Sequence, residues 1–478
     1  MISTKIIATI GPASDSVKTI SQMYEAGMRV ARLNFSHGDY DYFTKLVANI
    51  RKVSPEIAIL LDTKGPEIRS GEVEGGMVEL SDEDKLVLTN KVVMGNNKIL
   101  TINYADLDKL KKGDIILIDD GLIETQVVSV KKGDLHVKVL NGGKLGSKKT
   151  CSLKGHSPKL TFLSKKDKDD IIFAIKNDFD FVAASFVRTA DDVNSIKKLL
   201  EKNNSKMKII SKIEHWEAID NLSDICNVSN GIMVARGDLG VEIPMEQVPG
   251  VQKDLIRICN ELGKPVIVAT QMLESMKDNP RPTRAEISDV AQAILDGTDA
   301  VMLSGETAGG KYPVKSVAMM ASIAKEYEHK NTVAIMDSLH TEHELVNNSI
   351  SLFITKAAAQ ASVDLPKSVI ITPTESGYSA RKVSRFKPKV PIFAMTRDMT
   401  TLRQLNLSWG VKPFMVLKKY KNLDEMMYDV VKFCDKNKLL KGYEKAIITS
   451  GHALIKGHTN KLEIYKIDKV LKILKSKK

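Results

Sequence analysis

The pattern of this chain is set by residues 207–240, which read MKIISKIEHWEAIDNLSDICNVSNGIMVARGDLG. One apolar run starts at Met207, and a second starts at Gly231 after a polar and amphipathic stretch. Near-continuous Val, Ile and Ala runs of this length indicate strands that are buried on both faces, as in a parallel sheet. The sequence between them is typical of a helix, so the stretch predicts a strand–helix–strand unit.

The same unit recurs along the first 330 residues. Comparable apolar runs begin at Lys5, Met28, Ile57, Asp180, Met207, Gly231, Pro265 and Ala300. The helix-like segments between them include residues 16–28, with a polar start and Gly27 at the expected C-terminal cap. Eight strands that alternate with helices predict a (β/α)8 barrel. An open doubly wound sheet is the alternative, but no G-x-G-x-x-G follows the first run.

The repeat is interrupted once, after the third run. Residues 67–160 contain short strands and Gly-centred turns such as KGD, DDG and NGG, which predict a small β domain inserted as a lid. After about residue 338 a new series of strand and helix patterns predicts a separate α/β domain. We therefore expect a catalytic barrel of residues 1–66 and 161–338, a lid of residues 67–160, and a C-terminal α/β domain of residues 339–478.

Composition limits the function classes. The 478 residues include 71 Lys and Arg against 59 Asp and Glu, a net charge of +12 that suits anionic metabolites or nucleic acid. Aromatic residues make up only 5% and the lysines are dispersed, which argues against nucleic acid. Four separated cysteines favour a reducing compartment, and no apolar run approaches the ~18 residues of a membrane span. We expect a cytoplasmic protein without nucleic-acid or membrane partners.

Polar residues cluster where the predicted strands end, which is the end of a barrel that carries its chemistry. Seven of the eight strand ends carry such residues: Arg32, Asn34, Ser36 and His37; Asp62, Thr63 and Lys64; Ser185 and Arg188; Lys212 and Glu214; Arg236 and Asp238; Thr270 and Gln271; Ser304 and Glu306. A single charged residue there is usually a solvated rim residue. Seven ends together indicate a functional site.

The residue types at these ends indicate a metal and a phosphorylated, anionic substrate. Glu214 and Asp238 follow adjacent strands, so their oxygens can share a hard cation such as Mg²⁺ or Mn²⁺. Lys212 lies two residues before Glu214 and therefore points to the same face of a regular strand, where it can neutralise a transferring group or an enolate. Arg32 and Arg69 suit bidentate phosphate contacts.

Longer strings of the sequence identify a family. They are TIGPAS (9–14), RLNFSHG (32–38), LDTKGPEIR (61–69), SKIE (211–214), MVARGDLGVEIP (233–244), ATQMLESM (269–276), RPTRAE (281–286) and MLSGETA (302–308). In order and spacing the chain closely resembles the pyruvate kinase family over essentially its whole length. The resemblance implies an α/β protein: a (β/α)8 TIM barrel with an inserted small β-barrel-like lid domain and a C-terminal α/β domain. It implies a glycolytic phosphotransferase that converts phosphoenolpyruvate and ADP to pyruvate and ATP.

The resemblance also implies roles for individual residues. Glu214 and Asp238 match the Mg²⁺ (or Mn²⁺) ligands of the family, and Lys212, Thr270 and Arg32 match catalytic residues. The implied substrate-binding set is Arg32, Ser185, Lys212, Ala235, Arg236, Gly237, Asp238 and Thr270. The implied nucleotide side is Asn34, His37 and Arg69, and the implied K⁺ site is Asn34, Ser36, Asp62 and Thr63. An acidic Glu67, where lysine accompanies independence from K⁺ in the family, implies a K⁺ requirement.

Regulation and assembly follow from the resemblance too. Thr374, Ser376, Gly377 and Ser379 match the loop where the family binds phosphorylated allosteric effectors, although a plain strand–helix connection is the alternative. The family also implies a homotetramer. Two departures from the family pattern are the pair His215–Trp216 after SKIE and Lys154 where proline is usual, near the second lid hinge. The nearest enzymatic competitor is another metal-dependent barrel acting on pyruvate enolates, such as an aldolase or phosphoenolpyruvate mutase, which would need neither the lid nor the Arg32 and Arg69 pair.

Overall fold

The computed structural model describes residues 2–330, 335, 349–416, 423–451 and 459–476. Its strands are β1 Lys5–Thr9, β2 Met28–Asn34, β3 Ala58–Asp62, β4 Ile68–Arg69, β5 Met77–Leu80, β6 Lys85–Thr89, β7 Ile99–Thr101, β8 Ile115–Ile118, β9 Ile123–Lys131, β10 Asp134–Asn141, β11 Gly143–Gly146, β12 Thr150–Leu153, β13 Phe181–Ala184, β14 Lys208–Ile213, β15 Gly231–Ala235, β16 Val266–Ala269, β17 Ala300–Leu303, β18 Ser368–Pro373, β19 Ile392–Thr396, β20 Val411–Met415, β21 Lys445–Ser450 and β22 Lys461–Lys466.

The α-helices are α1 Val17–Ala26, α2 Tyr40–Val53, α3 Lys165–Lys176, α4 Ala190–Lys202, α5 Trp216–Asp220, α6 Leu222–Val228, α7 Arg236–Glu242, α8 Val248–Leu262, α9 Arg284–Leu295, α10 Gly305–Ala308, α11 Pro313–Tyr327, α12 Ile350–Asp364, α13 Tyr378–Ser384, α14 Met399–Leu405, α15 Leu423–Lys436 and α16 Ile467–Ser476. Short 3-10 turns lie at Glu74–Gly76, Leu107–Lys109, Met245–Gln247 and Glu274–Lys277.

The described residues form a closed parallel barrel in the order β1, β17, β16, β15, β14, β13, β3, β2. All eight apolar runs that the sequence singles out are its strands, so the predicted barrel is confirmed and the open sheet is excluded. The local signals act as expected in α1, where the Ser16 side chain accepts a hydrogen bond from the Thr19 N–H and the helix ends at Gly27. Gly27 has φ = 130°, which a residue with a side chain rarely adopts.

The barrel is filled by side chains and has no open channel in its described part. Ile7, Val30, Leu60 and Met233 belong to one buried apolar cluster inside it. Leu407, which comes from beyond the barrel in the chain, is a fully buried member of the same cluster. The C-terminal unit therefore contributes to the interior packing of the barrel.

The inserted region folds as a β unit between β3 and α3. A seven-stranded sheet in the order β4, β12, β8, β9, β10, β6, β7 and a two-stranded sheet of β11 and β5 are found within the described residues. The insert has its own apolar core, which includes Leu88, Leu100, Ile116 and Val137. The predicted lid insertion is confirmed as a fold, while its chain bounds of 67–160 stay a prediction.

The C-terminal unit is an α/β sheet in the order β20, β19, β18, β21, β22 among the described residues, with β22 antiparallel. Arg403 Nε lies 2.7 Å from Asp180 Oδ1, and Lys387 Nζ lies 2.8 Å from Asp299 Oδ1, so two buried ion pairs join this unit to the barrel. The predicted boundary at 338/339 lies outside the described residues. In the described part of the chain, no helix is long and apolar enough to cross a membrane.

Candidate active site

Lys212, near the end of β14, is at the centre of a polar cluster at the C-terminal end of the barrel. Its Nζ donates to Ser185 Oγ at 2.8 Å and lies 3.2 Å from Asp62 Oδ1 and 2.8 Å from Glu214 Oε1. Burial would lower the pKa of Lys212, but Asp62 and Glu214 together raise it above its usual value. The side chain is thus a buried ammonium that stays charged at neutral pH.

Asp62, at the end of β3, connects this lysine to Arg32 of β2. Arg32 Nε donates to Asp62 Oδ2 at 2.6 Å and its Nη1 donates to Thr9 Oγ1 at 2.7 Å, while Ser185 Oγ donates to Asp62 Oδ1 at 3.2 Å. Burial would raise the pKa of Asp62, yet Lys212 and Arg32 hold it below its usual value. The structure therefore brings the predicted Arg32, Asp62, Ser185 and Lys212 into one hydrogen-bonded network.

Glu214 and Asp238 form the acidic side of the cluster. Glu214 Oε2 accepts the Phe186 N–H at 2.7 Å, whereas the buried Oε1 faces Lys212 Nζ at 2.8 Å. Burial raises the pKa of both Glu214 and Asp238 despite the nearby Lys212, and the like charge of Asp238 raises the pKa of Glu214 further. The pair is thus short of positive charge, which is the condition that a bound divalent cation would relieve.

The number of acidic side chains in the cluster limits the kind of metal site that it can form. Among the described residues, no group of three or more His, Cys, Asp and Glu side chains is placed to hold an ion. Mg²⁺ is commonly held by one or two carboxylates together with water and substrate phosphate oxygens. Glu214 and Asp238 fit that mode, because two carboxylates would hold such an ion while water and an oxygen-rich substrate complete the coordination shell of the ion.

Thr270, directly after β16, sits in an unusual backbone conformation. Thr270 and Gln271 have φ = 66° and 52°, a region that non-glycine residues seldom occupy. Thr270 Oγ1 accepts the Gly237 N–H at 2.8 Å and donates to the Ala269 carbonyl at 2.6 Å. The predicted threonine is thereby tied to the Ala235–Asp238 stretch, whose residues the resemblance includes in the substrate-binding set.

The Arg236 side chain holds this strained turn. Its Nη2 donates to the Thr270 carbonyl at 2.7 Å and to the Gln271 carbonyl at 3.3 Å, and its Nη1 contacts Asp289 Oδ1 at 2.7 Å. Both terminal nitrogens of the guanidinium are therefore occupied by protein groups, so Arg236 can offer substrate its backbone. Asp289 lies inside a helix, away from any strand end, and the sequence analysis did not single it out.

The residues of the predicted K⁺ site meet at the β2 and β3 ends. Asn34 and Asp62 are register partners in the two strands. The Ser36 N–H donates to Asn34 Oδ1 at 3.1 Å, and Thr63 Oγ1 accepts the Ser185 N–H at 3.2 Å. The four residues lie at or just after the ends of two neighbouring strands, and their side chains carry oxygen atoms, which suits a hard cation.

The predicted nucleotide residues lie at the edge of this cluster. Arg69, on lid strand β4, pairs with Glu67 Oε2 at 2.8 Å and donates to the Lys148 carbonyl at 2.9 Å. The hydrogen bond to Glu67 raises the pKa of Arg69. The backbone N–H of His37 donates to the Asn34 carbonyl at 3.3 Å. Arg69 is thus anchored to the lid, and His37 follows the predicted K⁺ loop.

The predicted effector loop is in the C-terminal unit, away from these strand ends. Gly377 has φ = 75° and precedes α13, while Ser379 Oγ is 2.6 Å from Thr459 Oγ1. Glu375 Oε1 pairs with Arg397 Nη2 at 2.6 Å, so the acidic charge in the loop is balanced by a neighbour.

A lid contact that the sequence analysis missed involves Glu242 at the end of α7. Ser152 Oγ of lid strand β12 donates to Glu242 Oε1 at 2.5 Å, and His215 Nε2 lies 3.5 Å from Glu242 Oε2. Burial raises the pKa of Glu242 to about 7 and lowers that of His215 to about 4. These residues line a cavity of about 70 Å³ between lid and barrel. The string GVEIP (240–244) could have drawn attention to Glu242, because this carboxylate ends the helix that begins in the substrate-binding stretch.

The two departures from the family pattern have local explanations. His215 is the N-cap of α5, where its Nδ1 accepts the Glu217 N–H at 3.2 Å. The Lys154 N–H donates to the Ile115 carbonyl at 3.1 Å, a bond that proline could not make because it lacks the N–H. Lys154 therefore exchanges the ring rigidity of proline for a hydrogen bond to the lid sheet.

Comparisons with known proteins agree with this fold. Residues 1–317 match the family model described as the pyruvate kinase barrel domain, and residues 353–465 match the pyruvate kinase alpha/beta domain. The chain is 45% identical to the pyruvate kinase of Sporosarcina psychrophila over 480 residues, covering 98% of this chain and 81% of that protein. It is also 45% identical over 477 residues to the pyruvate kinase of Geobacillus stearothermophilus, with the same coverage of 98% and 81%.

A solved structure extends the agreement to three dimensions. The crystal structure of a pyruvate kinase from Cryptosporidium parvum superposes with a TM-score of 0.90 at 37% identity, covering 98% of this chain and 96% of that one. Sequence strings, barrel with insert, C-terminal sheet and the two family models all lead to one assignment. The chain belongs to the pyruvate kinase family and is a phosphotransferase of that family.

Proposed function

We propose that this pyruvate kinase family member transfers the phosphoryl group of phosphoenolpyruvate to ADP at the cluster of Lys212, Glu214 and Asp238. The observation that carries this assignment is the buried Lys212 ammonium, held charged between Asp62 and Glu214 at the C-terminal end of the barrel. A fixed positive charge in a site shielded from water stabilises the negative charge of a transferring phosphoryl group.

We assign the divalent cation, Mg²⁺ or Mn²⁺, to Glu214 and Asp238. The burial of the two carboxylates and the raised pKa values that they keep despite Lys212 support this assignment. When bound, the cation supplies electrostatic stabilisation to the phosphoryl and enolate oxygens. The protein contributes two carboxylates in fixed positions on neighbouring strand ends.

Arg32 and Lys212 orient the substrate phosphate in this proposal. Both cations are held by Asp62, Arg32 through Nε and Lys212 through Nζ, so neither has to reorganise when the substrate arrives. The backbone of Ala235–Asp238 receives the substrate carboxylate. Ser185 acts by holding Lys212 Nζ with its hydroxyl oxygen.

Thr270 is proposed to direct the protonation of the enolate. Its hydroxyl is fixed between the Gly237 N–H and the Ala269 carbonyl, and the strained turn keeps it at the strand end. A water held by Thr270 Oγ1 can then deliver the proton to the enolate carbon from one face. Arg236 acts as a brace for that turn through the Thr270 carbonyl.

We further propose the K⁺ site at Asn34, Ser36, Asp62 and Thr63, and a nucleotide side made of Asn34, His37 and Arg69. Asn34 belongs to both sets, and Asp62 joins the K⁺ site to the phosphate-binding residues because it also binds Arg32 and Lys212. Closure of the lid over the cleft would exclude water that competes with ADP for the phosphoryl group. A homotetramer, a cytoplasmic location and the domain bounds 1–66 with 161–338, 67–160 and 339–478 are part of the same proposal.

The effector loop is the least constrained part of the proposal. Its small residues and the glycine at the start of α13 suit a phosphate, and the pairing of Glu375 with Arg397 lowers the repulsion that the acidic residue would cause. We expect AMP, ribose 5-phosphate or fructose 1,6-bisphosphate to shift the phosphoenolpyruvate concentration at half-maximal rate. If none of the three does so, the loop is a structural connection.

The proposed activity is tested by coupling pyruvate formation to lactate dehydrogenase and following NADH. We expect NADH oxidation to require phosphoenolpyruvate, ADP and Mg²⁺ together. An aldolase or mutase would act on its substrate without ADP. Consumption of phosphoenolpyruvate that is independent of ADP, or no turnover in the complete mixture, would overturn the proposal.

A further inference from the structure

The chain passes between barrel and lid twice, and one carboxylate holds both passages. The first passage leaves the barrel after β3 through Gly65, and the second returns to it at Ser164, just before α3. Asp167 Oδ1 accepts the Gly65 N–H at 3.2 Å, and Asp167 Oδ2 accepts the Ser164 N–H at 3.1 Å and the Ser164 hydroxyl at 2.5 Å. Asp167 is 1% exposed, so these bonds are shielded from water.

The Gly65 side of this contact continues to the catalytic lysine. Gly65 has φ = 70°, and a Cβ placed there would lie 2.9 Å from both the Cβ and the carbonyl oxygen of Ser185. The turn is therefore packed tightly on Ser185, whose hydroxyl oxygen accepts the Lys212 Nζ bond at 2.8 Å. Any displacement of Gly65 is transmitted to the residue that holds Lys212.

The residue before Asp167 makes a parallel contact with the other loop of the site. Lys166 Nζ donates to the Phe35 carbonyl at 2.8 Å and to Asp170 Oδ2 at 2.6 Å. Phe35 stands between Asn34 and Ser36, two residues of the proposed K⁺ site. The first turn of α3 thus fixes the loops after β2 and β3, both of which carry predicted site residues.

We propose that Asp167 is a positioning residue for phosphoryl transfer, and this inference rests on the proposed function. Its carboxylate fastens the two barrel–lid passages to one point, so the lid pivots about fixed ends and the Gly65 turn keeps Ser185 and Lys212 in place. The competing explanation is local: Ser164 and Asp167 also form a capping box at the start of α3, which stabilises the helix by itself. The two explanations differ in whether loss of the hydrogen bond between the Gly65 N–H and Asp167 lowers kcat.

Two variants separate these explanations. Ser164→Ala removes the capping hydroxyl but leaves the Ser164 N–H and the Gly65 N–H on the Asp167 carboxylate. Asp167→Ala removes the carboxylate bonds to the Ser164 and Gly65 N–H groups together, and it leaves the Ser164 hydroxyl on the backbone N–H of residue 167. We expect similar losses of thermal stability in both variants, a kcat within twofold of the parent for Ser164→Ala, and a kcat lowered about tenfold or more for Asp167→Ala, because small misplacements of catalytic groups are costly.

Hydrogen–deuterium exchange of the full-length protein provides the second readout. We expect faster exchange in peptides covering 63–69 and 158–164 for Asp167→Ala, with the remaining barrel peptides matching Ser164→Ala. If Asp167→Ala does not fold, Asp167→Asn is used, which keeps the volume and one acceptor oxygen and should lower kcat at least threefold. Equal kcat values for the Asp167 and Ser164 variants, or a uniform rise in exchange, would overturn the inference. An inactive parent enzyme would instead overturn the proposed function.

Discussion

Replacing Lys212 by methionine tests the centre of the proposed mechanism. The described buried cluster has two cations, Arg32 and Lys212, against three carboxylates, Asp62, Glu214 and Asp238. Lys212→Met leaves one cation for three carboxylates at nearly unchanged side-chain length. Removing one partner of a buried ion pair costs about 3–5 kcal/mol of stability, part of which is recovered when a carboxyl group takes up a proton.

The catalytic loss should exceed what the stability loss explains. A positive charge placed on a transferring phosphoryl group contributes about 10³–10⁵-fold to kcat, which corresponds to about 4–7 kcal/mol of transition-state stabilisation. We therefore expect kcat of Lys212→Met to fall by at least about a thousandfold in the coupled assay with Mg²⁺ and K⁺. Phosphoenolpyruvate binding in the presence of Mg²⁺ should remain, because the missing charge acts mainly in the transition state.

Two further variants control this experiment. Lys208→Met removes a partly buried lysine at the opposite end of β14 and should leave kcat within about twofold of the parent. Lys212→Arg keeps the charge but not the compact ammonium geometry, so its loss should be intermediate. A Lys212→Met enzyme that is folded and retains kcat within tenfold of the parent would remove Lys212 from the mechanism.

Three other predictions concern the surroundings of the site. Glu67→Lys should weaken the dependence of activity on K⁺, because it adds a permanent cation to a cleft crowded with carboxylates. The dependence is measured by replacing tetramethylammonium with K⁺ at constant ionic strength. Full activity of the parent without K⁺ would contradict the proposed K⁺ requirement. Burial raises the pKa of Glu242 to about 7, above the ordinary 4.5, so its stabilising protonated form is lost as the pH rises through 7. In denaturant titrations, Glu242→Gln should therefore be as stable as the parent near pH 5 and more stable by about 2–3 kcal/mol at pH 8.5. An equal difference in stability at both pH values would refute the burial argument. Arg236→Lys should lower kcat about tenfold or more with little change in KM for ADP, because one ammonium cannot hold the Thr270 carbonyl as the guanidinium does. An unchanged kcat would mean that the Thr270–Gln271 turn keeps its conformation without Arg236.

The barrel and its strand-end residues could be predicted because they depend on local pattern. The apolar runs that begin at Met207 and Gly231 became strands β14 and β15, and the two-residue spacing of Lys212 and Glu214 placed their charged atoms 2.8 Å apart. Alternation and spacing are properties of short segments, so the sequence carries them directly. The assignment of roles within the cluster came from the family resemblance rather than from the pattern.

The supporting contacts could not be predicted because they join distant segments. Asp167 and Gly65 are 102 residues apart, and nothing in the capping-box string around Ser164 indicates a second acceptor use of the carboxylate. The positive φ of Thr270 was equally hidden, since sequence patterns suggest that conformation chiefly at glycine. Such a turn persists only where the surrounding structure over-determines it, and Arg236 is visible as its brace only in three dimensions.

The end of the barrel against which the C-terminal unit packs limits how this chain can be cut into separate domains. Leu407 belongs to the C-terminal unit but completes the apolar interior of the barrel, and Arg403 and Lys387 neutralise Asp180 and Asp299, which directly precede two of its strands. A barrel cut free of that unit would expose an apolar opening, deprive Asp299 of Lys387, and leave Asp180 to its longer contact of 3.7 Å with Arg51 of α2. The barrel and the C-terminal unit therefore form one structural unit. A chimera that takes either of them from a relative should fold only if Leu407 and the two ion pairs are kept at the new junction.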